Sequence, residues 1–131
     1  MKNLKEDKEL LLKDLCARLP YGVRMFEIEP INNIQSNLTL YSITNKASVI
    51  CITPSGGAIG SSIDAFKPYL FPISSMTEEQ YENFLLTNSE ITLKGVICST
   101  RGFDFLNKHH FDYRGLIKKG LAIDATGLNI Y

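Results

Sequence analysis

The sequence predicts an α+β fold on three observations: an amphipathic helical repeat near the N-terminus, a succession of β-rich runs between Val23 and Asp64, and a sharply marked helix start in the C-terminal half. The expected architecture is an N-terminal helix, an antiparallel β-meander of four to five strands, and C-terminal helices packed on the sheet, all in a single domain over residues 1–131. A content of 44% hydrophobic and 21% charged residues is that of an ordinary globular chain, enough to build one core.

The helix is written by Leu12, Leu15, Cys16 and Leu19 at i, i+3, i+4 and i+7, and Asn3 stands three residues before Glu6 in a capping-box arrangement. Charges interrupt MKNLKEDKELLLKDL every few residues, which predicts a surface helix and not a secretory signal. Pro20 ends the helix and Tyr21-Gly22 supplies a turn.

The β-rich runs are VRMFEIE, LTLYSIT, SVICIT and IGSSID, joined by hairpin-length connections at Asn45-Lys46 and from Pro54 to Ala58. Val49 to Ile52 is apolar on both faces and is expected at the centre of the sheet, whereas Glu27 and Glu29 give the first run the character of an edge. KPYLFP, residues 67–72, carries a proline near each end and is expected to be a connector lying on the core. Thr77 and Gln80 then form a capping box, with Met76 and Tyr81 as a hydrophobic staple and Tyr81, Phe84 and Leu85 as the buried stripe. ITLKGVIC reads as a further strand, and residues from about Asp104 to His110 as a helix.

Fourteen basic and fourteen acidic side chains cancel, so no overall field draws the chain to nucleic acid or to an acidic surface. No apolar run approaches the roughly 20 residues of a membrane-spanning helix, so no membrane partner is expected. Cys16, Cys51 and Cys98 are widely spaced with apolar flanks, which predicts free, buried thiols and a cytoplasmic location.

LCARLPYG, KPYLFPISSMT and HFDYRGLIKKGLAIDATGLNIY resemble the recurring blocks of a family of small uncharacterised proteins of gut bacteria and their prophages. The resemblance spans the start, middle and end of the chain. It implies a phage or mobile-element context and no particular activity.

The stretch that invites a chemical reading is LNKHHFDYRGLIKKG, residues 106–120. Adjacent histidines on a helix point about 100° apart, so His109 and His110 are poorly placed to share one metal ion. Asp112 suits the N-cap of a short helix from Tyr113 to Lys119, with Phe111 and Leu116 as a staple and Gly120 as the stop. The stretch therefore reads as a joint between two helices. Lys108, Arg114, Lys118 and Lys119 against Asp112 leave a local positive excess, so Lys108, His109, His110, Arg114, Lys118 and Lys119 are the expected interaction surface.

TPSGGAIGSS lacks the Lys that a phosphate-binding loop places before its Ser/Thr, and reads as a hairpin loop. There is no G-x-S-x-G motif, and the paired glutamates Glu27/Glu29 and Glu78/Glu79 are better read as strand and first-turn charges. No catalytic, cofactor-binding or metal-binding residue is assigned and no cofactor is expected. The favoured function is a small non-enzymatic accessory or interaction protein whose partner is another protein. Two alternatives stand behind it: a nucleic-acid-binding module using the basic C-terminal helix, and an enzyme with an unrecognised site.

Overall fold

In the computed structural model the described residues are 4–28, 38–44, 48–87, 91–92, 95–96 and 100–131. Helix α1 runs Leu4–Arg18, with Glu6 and Asp7 in its first turn and Arg18 in its last, as the helix dipole favours. Its buried face is Leu11, Asp14, Leu15 and Arg18, one residue around from the expected stripe. Of that stripe only Leu15 is fully buried; Leu12 and Leu19 are half-buried and Cys16 is exposed. The helix turns this way because Asp14 and Arg18 neutralise each other at i, i+4, 2.7 Å apart, and so can occupy the interior. Cys51 is free and buried as expected, and burial together with the charge of Glu27 pushes its thiol up to about 12. Asn3, with its proposed capping box, and Cys98 lie outside the described residues.

After a 3-10 turn at Leu19–Tyr21 the chain enters the meander: β1 Arg24–Glu27, β2 Leu38–Ile43, β3 Ser48–Ile52 and β4 Ala58–Ser62, each antiparallel to the next. All four expected runs are strands. Alternation sends Met25, Leu38, Leu40, Val49 and Cys51 into the core, where they meet Leu11 and Leu15 of α1. β3 lies between β2 and β4, while β4 forms the exposed edge. The β3–β4 loop is closed by Thr53, whose N–H donates to the Gly57 carbonyl at 2.8 Å and whose Oγ1 accepts from Gly57 N–H at 2.9 Å, so the glycine-rich stretch is a hairpin loop. Residues 45–47, with the other proposed turn, lie outside the described residues.

β1 is not an edge. It lies between β2 and a strand β5, Phe66–Pro72, and Glu27 is 4% exposed; Glu29 lies outside the described residues. β5 is the stretch expected to be a connector. Successive residues of a strand turn their backbone groups to opposite edges. Tyr69 O and Phe71 N therefore share one edge, accepting from Tyr131 Oη and donating to His110 O, while Leu70 O accepts from Ala125 N on the other. The donorless nitrogens of Pro68 and Pro72 fall on the Leu70 edge, where the pairing strand is only two residues long. A strand can hold both prolines because neither interrupts a long ladder.

Helix α2, Glu78–Thr87, starts on the expected capping box: Thr77 N–H donates to Gln80 Oε1 at 2.9 Å and Gln80 N–H to Thr77 Oγ1 at 3.1 Å. Phe84 and Leu85 are half-buried, but Tyr81 is 51% exposed and is not part of a buried stripe. Within ITLKGVIC, where one strand was expected, Ile91–Thr92 (β6) and Gly95–Val96 (β7) pair with each other antiparallel, and residues 93–94 and 97–98 lie outside the described residues. Helix α3, Thr100–Lys108, packs on α2, with the Phe84 and Phe105 rings 5.8 Å apart, and also touches α1. Two short strands follow, β8 Phe111–Asp112 and β9 Ile123–Asp124, both parallel to β5. The fold is thus α+β as predicted, but the sheet is mixed: a wholly antiparallel meander is extended by two parallel pairings from the C-terminal segment.

Candidate functional site

The joint at 106–120 connects a helix to a strand, where a joint between two helices was expected. α3 ends as His109 N–H donates to Phe105 O at 3.1 Å and His110 N–H to Asn107 O at 3.1 Å. His110 takes a left-handed φ of 64°, and its carbonyl accepts from Phe71 N–H at 2.8 Å, which delivers the chain to β8. The expected helix from Tyr113 to Lys119 does not form, because Gly115 sits at φ 76° and Gly120 at φ 77°, leaving room for one hydrogen-bonded turn between them. Asp112 nevertheless does the chemistry of a cap. Its Oδ1 accepts from Leu116 N–H at 3.0 Å and its Oδ2 from Ile117 N–H at 2.9 Å. Asp112→Ala should cost about 1–2 kcal/mol in urea denaturation, since two backbone donors lose their acceptor. Asp112→Asn, which keeps one of the two bonds, should cost less.

The two imidazoles separate. His109 is exposed against the Phe105 ring at 4.5 Å and lines a recess of about 250 Å³ with Tyr21, Arg101, Asp104 and Lys108. His110 stacks on Tyr131, with centroids 3.7 Å apart and planes 12° from parallel. Among the described residues no group of three or more His, Cys, Asp and Glu side chains could hold a metal ion. Burial, then the charges of Arg18, His109 and Arg24, lower His110 from 6.5 to about 4. The sign follows by linkage. Above pH 6.5 the ring is neutral in folded and unfolded chains alike; as the pH falls towards 4 only the unfolded chain takes the proton, and stability is lost. His110→Asn, which tolerates the left-handed backbone, should show a shallower fall in melting temperature than wild type between pH 6.5 and pH 5.

The basic residues differ in their surroundings. Arg114 is turned inward: its Nε donates to Asp14 Oδ1 at 3.1 Å, and its guanidinium lies 4.9 Å from the centre of the Tyr113 ring. Tyr113 in turn donates through its hydroxyl to Asn107 Oδ1 at 2.8 Å. Lys108 is exposed at the α3 recess, whereas exposed Lys118 and Lys119 lead directly into Gly120 and Leu121.

Gly120 and Leu121 form one wall of a larger feature, a groove of about 650 Å³ between α1 and the paired ends of β1 and β5. Its floor is apolar: Leu11 and Phe66 are buried core residues, and Ile28 stands 39% exposed beside them. Lys5, Lys8 and Lys67, with Asp7 and Asp64, complete the lining. Lys8 and Asp64 pair at 3.4 Å. The Asp64 carboxyl is held below its ordinary value, mainly by a hydrogen bond from Ser62 and secondarily by Lys8. Among the described residues no carboxylate is within ion-pair distance of Lys5 or Lys67. The groove escaped sequence reasoning because its residues are scattered from position 5 to position 121 and only the β1–β5 pairing assembles them.

No helix among the described residues is long and apolar enough to cross a membrane. Comparison with known proteins gives no match to any family model, curated protein or solved structure.

Proposed function

We propose that this chain is a small accessory protein that acts by binding another protein at the α1–β1–β5 groove and catalyses no reaction, in the phage or mobile-element setting that its sequence blocks suggest. The observation that carries the reading is the groove itself. A floor continuous with the core reaches the surface between lysines, a combination of apolar contact and charge suited to recognition. The conspicuous residues of the C-terminal stretch support the same reading by their structural use: Asp112 holds a turn, His110 stacks under Tyr131 and Arg114 pairs with Asp14. Nucleic-acid binding draws less support, since Arg114 is spent internally on Asp14 and the Tyr113 ring.

The test is capture from a lysate of the native host, with quantitative mass spectrometry, using wild type and Ile28→Asp. Ile28 is partly exposed, so the substitution places a charge at the mouth of the groove while sparing the core. A protein retained by wild type and lost with Ile28→Asp is the expected outcome. Retention of the same proteins by both chains would contradict the reading.

A further inference from the structure

Resting on that reading, the geometry points to the groove as a socket for a polypeptide segment in which a large apolar side chain is flanked by a carboxylate. The apolar half of the specification comes from the floor. Leu11 and Phe66 line it while only 3% and 1% exposed, and Ile28, 39% exposed, supplies the aliphatic surface that a ligand can reach. A volume of about 650 Å³ lies within the roughly 300–1,000 Å³ typical of binding clefts.

The acidic half comes from what the lining leaves uncompensated. Lys8 and Asp64 neutralise each other, which leaves Lys5 and Lys67 against Asp7. Glu6 and Glu9 belong to the same helix but do not line the groove. Lys67 is half-buried on β5, at the register where that strand pairs with Phe26 of β1, so its stem is held by a paired strand. With Lys8 and Asp64 paired, the lining carries one net positive charge, which a single entering carboxylate balances.

Two capped peptides test this on the full chain, one of sequence Glu-Leu-Phe-Glu and one of sequence Lys-Leu-Phe-Lys, titrated into isotopically labelled protein and followed by amide chemical shifts. The acidic peptide should move the Leu11, Phe66 and Leu121 amides and bind about tenfold more tightly than the basic one, with the difference shrinking at high salt. Each lysine should account for up to about fivefold, the range of an exposed ion pair. In Lys5→Glu/Lys67→Glu the order of the two peptides should invert. Equal binding of both peptides, shifts confined to other surfaces, or no inversion would overturn the inference. Stronger binding of decanoate, displacing the acidic peptide from the same amides, would also overturn it by showing a site for a lipid-like acid. None of these failures touches the wider reading, which the Ile28→Asp capture tests separately.

Discussion

Asp14→Ala should destabilise the fold by about 3–5 kcal/mol, the cost of leaving a buried charge without its counter-ion. Asp14 and Arg18 are both 0% exposed, and the carboxylate serves two cations, Arg18 Nε at 2.7 Å through Oδ2 and Arg114 Nε at 3.1 Å through Oδ1. Arg18 also donates through Nη2 to the Phe111 carbonyl at 2.6 Å, while its Nη1 is buried with no acceptor among the described residues. This arrangement ties α1 to β8 and to the turn after it. Removing the carboxylate strands one fully buried and one partly buried guanidinium around the Tyr113 ring. The companion Asp14→Leu/Arg18→Met should cost less than Asp14→Ala, since it removes the fully buried unpaired charge and leaves only the partly exposed Arg114 without its carboxylate. Urea denaturation of the three chains checks this; equal losses in both variants would mean that packing, not charge pairing, is what Asp14 supplies.

Tyr131→Ala should have the second largest effect, about 3 kcal/mol, combining two lost hydrogen bonds with lost ring contacts. The hydroxyl accepts from Arg24 N–H at 2.7 Å and donates to Tyr69 O at 2.7 Å, so it bridges β1 and β5. Burial holds its proton well above the ordinary tyrosine range. The ring stacks on His110 and meets Phe71 at 5.8 Å. Tyr131→Phe separates the contributions. It keeps the ring but orphans one donor and one acceptor, and should cost about 1–3 kcal/mol. A Tyr131→Phe chain as stable as wild type would show that the bridge adds nothing to the β1–β5 pairing.

Local signals were legible in the sequence wherever neighbours in the chain decide the structure. The four meander strands follow from period-two alternation, and the Thr77/Gln80 box forms both of its hydrogen bonds because capping needs only the residues within one turn. Three misreadings share one cause, a distant partner that changes what a local pattern means. The α1 stripe was misplaced because it was drawn through apolar residues alone, although Leu11, Asp14, Leu15 and Arg18 at i, i+3, i+4 and i+7 share one face on which an oppositely charged pair can be buried. KPYLFP read as a connector because its prolines argue against a strand, and only β1, β8 and β9 supply the pairing that makes it one. Glu27 read as an edge charge because nothing nearby in sequence announces that Phe66 will lie opposite it. In the C-terminal stretch the capping role of Asp112 was legible, whereas the left-handed backbone at Gly115, which leaves a turn in place of a helix, was not.

Recognition by the α1 groove, and not by the histidine stretch, is tested most directly by amide hydrogen exchange on the chain in complex with the host protein it captures. The groove reading predicts slowed exchange in Lys5–Leu11, around Phe66–Lys67 and at Gly120–Leu121, with Asp104–His109 unchanged. Protection confined to Asp104–His109 would contradict it and return the interaction surface to Lys108 and His109.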